Sequence, residues 1–220
     1  MIRRISATFF LAFLCITSFA QDVEVDPARF GEAIQTFQTW DKKNSFQSDA
    51  ILFTGSSSVR FWATAEAFPD KKIINRGFGG SHVSDVNFYF DEVVKPYAPS
   101  SIFLYAGDND IGRGKSAERV LEDFRKFVAL VEAESADTQI HYLSIKPSKA
   151  RWKHWPEMSR ANKMIEELSG QHSNLTYVDM ANVLLNDEGK PKDVFVEDGL
   201  HLNELGYQLW REAILPHLEL

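Results

Sequence analysis

SIFLYAG (residues 101–107) is apolar at nearly every position and ends in glycine. A sheet with one face in water would alternate apolar and polar residues, so a continuous run marks a strand covered on both faces. Four more stretches read as strands: AILFTG (50–55), KKIINRG (71–77), QIHYLSI (139–145) and LTYVDM (175–180). Helical periods lie between them. Phe30, Ala33, Ile34, Phe37 and Trp40 follow Pro27 at spacings of three and four, VRFWATAEAF (59–68) reads as one helix, and Val83, Val86, Phe90 and Val93 form the face of another, closed by Pro96. Ser116 caps a long helix with Ala117, Val120, Leu121, Phe124, Phe127, Val128 and Val131 on one face. Pro156 to Leu168 and NELGYQLWREAIL (203–215) supply the last two helices.

Strands and helices alternate throughout, which predicts an α/β class: a three-layer α/β/α sandwich around a mostly parallel five-stranded sheet, with right-handed crossovers. Ligands of such sheets bind outside the carboxyl ends of the strands. That edge collects the polar residues of the chain: Gly55 to Ser58 after the first strand, Gly77 to Ser81 after the second, and Gly107-Asp108-Asn109-Asp110 after the third.

The first twenty residues, MIRRISATFFLAFLCITSFA, stand apart. A basic start, an apolar stretch and the small-x-small ending Ser18-Phe19-Ala20 predict a secretory signal peptide over residues 1–20, with residues 21–220 as a single domain and an exported, periplasmic or extracellular location. The apolar part is too short for a stable membrane span, and Leu14 before Cys15 argues against lipoprotein cleavage, so no stable membrane anchor is expected. The one cysteine leaves with the leader, and the mature chain depends on an ordinary core rather than disulfides. The formal charge is −7, and losing Arg3 and Arg4 makes it −9. Such a balance disfavours nucleic acid and anionic membrane surfaces as partners.

A serine nucleophile needs a base, a group that orients the base, and donors for the oxyanion. VFVEDGLHLNELGY (194–207) puts Asp198 three residues before His201, close enough for a turn to bring the carboxylate to the imidazole Nδ1 and leave Nε2 for a serine. A plain turn with a surface histidine would have the same spacing. The glycines of NRGFGGS (75–81) suit a tight turn as well as a backbone donor, and Asn109 suits a loop as well as a side-chain donor.

Taken in order, FTGSSS, NRGFGGS, YAGDND and DGLH resemble the four signature blocks of the SGNH hydrolases, the GDSL esterase/lipase superfamily, in particular secreted esterases similar to platelet-activating-factor acetylhydrolase subunits. The resemblance implies a flavodoxin-like fold and hydrolysis of carboxylic esters through an acyl-enzyme. By motif it assigns the catalytic nucleophile to Ser57 and the paired acid and base to Asp198 and His201. It places the oxyanion hole at the Ser57 and Gly80 N–H groups and the Asn109 side chain. Two positions depart from the pattern: Ser56 replaces the usual block-one aspartate, and Ser81 stands where many members carry aspartate.

Other groupings compete less well. NDIGRGKS (109–116) imitates a phosphate-binding loop but has Asn109 in place of its first glycine. Asp108, Asp110, His82 and His201 show no zinc-type spacing, so no metal and no cofactor is expected. His82 reads as a helix-start residue and Asp110 as a structural carboxylate. KARWKHWPE (149–157) places Arg151, Trp152 and Trp155 in a loop that would contact substrate, a small-molecule or glycan ester, or else anchor the loop to the core. The long loops between Lys146 and Pro156 and between Val183 and Phe195 are expected to shape specificity. A catalytically inactive carbohydrate-binding protein on the same fold is the competing expectation.

Overall fold

The computed structural model describes residues 25–47 and 49–218; the leader expected over residues 1–20 lies outside them. Five strands form one parallel sheet: β1 Ile51–Gly55, β2 Ile73–Gly77, β3 Ser101–Tyr105, β4 Gln139–Leu143 and β5 Leu175–Val178, in the order β2-β1-β3-β4-β5. Chain direction across the sheet reverses between β1 and β3, which makes their carboxyl ends the switch-point crevice of a doubly wound fold.

The continuous apolar runs are explained by the two covered faces. Leu52, Ile74, Ile102, Leu104, Ile140 and Tyr142 pack into one layer with α1 Gly31–Asp41, α4 Val83–Phe88, α5 Phe90–Val93, α7 Ala117–Glu134 and α8 Trp155–Ser169. Phe53, Phe103, Tyr105, Leu143 and Val178 point the other way, into a layer with α2 Ser57–Arg60, α3 Thr64–Ala67 and α9 Glu204–Ile214. A short helix, α6 Asp108–Gly112, follows β3 at the carboxyl edge.

Two helices expected to be continuous are broken. Residues 59–68 hold the end of α2 and all of α3, because Asn75 on β2 donates its amide to the carbonyls of Val59 and Trp62, at 2.9 and 3.2 Å. Those carbonyls need no further helical turn to satisfy them, and Trp62 and Phe68 can both turn into the aromatic layer against Phe53. Residues 83–93 divide at Tyr89, whose ψ of 22° leaves the helical range while its hydroxyl donates to the Pro27 carbonyl.

His141, 4% exposed, stacks on Phe103 with 4.2 Å between ring centroids. Burial, followed by the neighbouring His217, lowers its pKa to about 4. The unfolded chain takes up this proton near pH 6.5, whereas the folded chain refuses it until about pH 4. Stability therefore falls as pH drops through that window, by about 3 kcal/mol from this residue. His141→Phe should flatten the decline, as read by urea unfolding at about pH 7 and about pH 4; a decline as steep as in the unmutated protein would acquit the histidine.

Candidate active site

The first strand ends at Gly55, whose φ of +121° and lack of a side chain are both required: a Cβ there would stand 1.9 Å from the Tyr105 carbonyl oxygen. The turn that follows starts α2 at Ser57. Of the three serines, Ser56 and Ser58 are fully buried, and their hydroxyls have no hydrogen-bond partner among the described residues. Ser57 Oγ lies 2.9 Å from His201 Nε2, across 144 positions of sequence. As the first residue of a helix, Ser57 also presents an N–H with no intrahelical acceptor.

The histidine is held by a tight local turn. Asp198 Oδ1 accepts from the N–H groups of Leu200 and His201 at 2.8 and 2.9 Å, and Oδ2 lies 2.5 Å from His201 Nδ1. Pairing between Phe195 and Leu202 closes the base of the turn. Partial desolvation raises the Asp198 carboxyl, but the bonds from the His201 N–H, the His201 ring and the Leu200 N–H outweigh it and bring the pKa to about 2. Asp198 is thus a carboxylate at neutral pH. Phe61 approaches the imidazole edge-on, 5.0 Å between centroids, and exposes 55% of its own surface at the rim.

Gly80 takes a φ of +86°, and open space surrounds the position a side chain would occupy. Its N–H has no hydrogen-bond partner among the described residues. Asn109, on α6, donates Nδ2 to the Ser81 carbonyl at 3.1 Å, which ties the end of β3 to the glycine turn after β2. A cleft of about 520 Å³ is lined by Arg29, Phe37, Arg60, Phe78 and Gly79; Ser57 does not line it, although a Cβ on Gly79 would stand 3.6 Å from Ser57 Cβ.

Residues 146–155 lie differently from a free specificity loop. The Arg151 guanidinium turns inward, with Nη2 donating to Asn109 Oδ1 at 2.8 Å and Nη1 3.2 Å from Asp108 Oδ2. Trp152 and Trp155 stack on each other, 6.1 Å between centroids; Trp155 packs against the core, and Lys190 lies over the Trp152 ring. The two long loops therefore meet, and Lys149 and Asp193 pair between them at 2.7 Å.

Two buried lysines pair with carboxylates distant in the chain or masked by its local pattern. Lys146, 1% exposed, reaches Asp108 Oδ2 and the Tyr105 hydroxyl, each at 3.1 Å. Burial pushes the Asp108 carboxyl up, but Lys146 and Arg151 more than offset this and hold it below the usual carboxylate range. Lys115, the lysine of the imitation phosphate loop, is buried against Asp123 at 2.8 Å and Asp110 at 3.3 Å. Asp110 also accepts from the Val83 N–H. No spacing of charges in the sequence signals these pairs; a lysine beside apolar strand ends was the only hint. Among the described residues, no three His, Cys, Asp or Glu side chains group as metal ligands would.

Known proteins share this architecture. A protein described as a platelet activating factor from Streptococcus pneumonia superposes with a TM-score of 0.77 at 27% identity, covering 86% of this chain and 93% of its own. An acetylxylan esterase from Geobacillus stearothermophilus shares the fold at a TM-score of 0.65 and 15% identity, covering 80% of this chain and 96% of its own. In sequence, the N-acylneuraminate cytidylyltransferase of an Escherichia coli strain is 24% identical over 79% of this chain, which spans only 42% of that protein. The blocks that end β1, β2 and β3 and the turn before α9 fall within residues 50–209, which match the GDSL-like lipase/acylhydrolase family, and to that family of ester hydrolases the chain belongs.

Proposed function

We propose that this chain is an exported serine esterase that cleaves carboxylic esters of small molecules or glycans through an acyl-enzyme. The observation that carries the reading is the linear contact from Asp198 through His201 to Ser57 Oγ. In the first half-reaction Ser57 Oγ bonds to the ester carbonyl carbon as its proton passes to His201 Nε2. The tetrahedral adduct then expels the alcohol, whose oxygen takes that proton from His201. Water repeats the sequence on the acyl-enzyme: it loses a proton to His201, bonds to the carbonyl carbon, and releases the acid as the proton returns to Ser57. Asp198 keeps Nδ1 protonated, so Nε2 begins each cycle as an acceptor.

Charge builds on the carbonyl oxygen in both adducts. The donors proposed for it are the N–H groups of Ser57 and Gly80 and the second N–H of Asn109 Nδ2, the first being used by Ser81. The orphan amide of a helix start and its dipole favour an anion there. Asn109→Ala should lower kcat on a short nitrophenyl ester by about 10²–10³ with little change in KM, the usual cost of one oxyanion donor. A raised KM at unchanged kcat would instead mean that Asn109 binds the ground state and would remove it from the oxyanion hole.

The proposed path to the substrate is the open rim at Phe61 and Gly80. Export rests on the leader-like residues 1–20 alone and is tested by comparing the N-terminus of the protein recovered outside the cytoplasm with that of the full chain.

A further inference from the structure

We infer that Arg151 is a positioning residue for Asn109, fixing which end of that side-chain amide faces Ser57 and sharpening the N–H it presents. The inference rests on the esterase reading above. An asparagine amide can be turned end for end, and only one orientation offers a donor to the oxyanion. Here the carbonyl end accepts from Arg151 Nη2 at 2.8 Å and the amino end donates to the Ser81 carbonyl at 3.1 Å. Reversed, the amide would point N–H groups at a guanidinium that has no acceptor, and its oxygen at the oxygen of Ser81. Both ends would then lose their bonds at a site where Asn109 is only 8% exposed.

Arg151 is itself fixed. Its Nη1 pairs with Asp108 Oδ2, the same oxygen that Lys146 Nζ reaches. Gly112 leaves room for the guanidinium: a Cβ there would meet Arg151 Nε at 3.1 Å. The preceding residue, Ala150, donates its N–H at 3.0 Å to the Gly199 carbonyl, inside the turn that carries Asp198 and His201. One short segment thus joins the side of the site that holds the oxyanion donor to the side that holds the base. A cation bonded to the amide oxygen also withdraws electron density from Nδ2, which strengthens the remaining N–H as a donor in a partly dry site.

The test compares Arg151→Ala and Arg151→Lys with the unmutated chain on a short, uncharged nitrophenyl ester. For Arg151→Ala, kcat should fall about 10- to 100-fold while KM stays within about threefold, the range of coupling between contacting residues. Added guanidinium chloride, at concentrations below its denaturing range, should restore part of the loss. In an Asn109→Ala background the same change should cost less than about twofold, because the group through which Arg151 acts is gone. Arg151→Lys keeps a charge for Asp108 but cannot bridge to Asn109 as well; it should fold and still lose most of the rate. An unchanged kcat in either variant, a loss confined to KM, or an undiminished loss in the Asn109→Ala background would overturn the inference. Those results leave the esterase reading intact if Ser57→Ala is inactive; turnover by Ser57→Ala would remove that reading instead.

Discussion

Ser57→Ala is expected to lower kcat for ester hydrolysis by about 10⁶, the scale on which serine hydrolases lose rate when the nucleophile is removed. The expectation follows from position. Ser57 Oγ is the hydroxyl of the serine triplet that meets an imidazole, while Ser56 and Ser58 are buried away from it. No neighbour can take its place, since both flanking side chains leave the site in the turn that starts α2. The change removes one oxygen whose hydrogen bond among the described residues is to His201 Nε2, so folding should survive it, with a thermal midpoint within about 2 °C of the original. A fluorophosphonate probe should label the unmutated chain at Ser57 and fail to label the variant. Ser56→Ala and Ser58→Ala should both keep turnover, because each deletes a buried hydroxyl with no partner among the described residues. Full activity in Ser57→Ala, or labelling that persists in that variant, would assign the chemistry to another group.

The second large effect is expected of Asp198→Asn, about 10⁴ in kcat with the fold retained. Oδ1 of the new side chain can still accept from the Leu200 and His201 N–H groups, so the turn should keep its shape. The other end becomes an NH₂ group facing Nδ1. A donor there demands that Nδ1 be the unprotonated nitrogen, which places the ring proton on Nε2 against Ser57 and leaves the hydroxyl without a base. No positive charge on the imidazole would then be compensated either. Steady-state rates and a thermal melt separate these outcomes: lost rate with an unchanged melt is the expected pair, and a variant retaining more than about a tenth of the rate would show that Asp198 merely shapes the turn.

Part of this site was open to a reader of the chain. Asp198 and His201 are three residues apart, so their meeting depends on a single turn, and the glycine between them, with a φ of +64°, allows it. Phe78 to Gly80 follow β2 directly and Asn109 stands four positions beyond the end of β3, and all strands of a parallel sheet end at one edge. The choice of Ser57 was different. It came from likeness to known signature blocks, since nothing in three consecutive serines says which will face outward. The direction of Arg151 was also hidden: a basic residue just before a tryptophan suits a surface loop as well as it suits a clamp on Asn109, 42 positions away.

By itself the chain determined what short-range periodicity can determine: an alternation of buried strands and one-sided helices, hence a parallel sheet with its polar residues gathered at the carboxyl edge. Only the tertiary structure decided where helices stop and which charges go inside. Asn75 ends α2 from a neighbouring strand, and Lys146 and Lys115 are buried only because Asp108, Asp110 and Asp123 wait there to pair with them. The physical reason is the same in each case. Backbone geometry and apolar period act over a few residues, whereas the cost of burying a charge or leaving a carbonyl unbonded is settled by whichever distant group the fold brings within 3 Å or so.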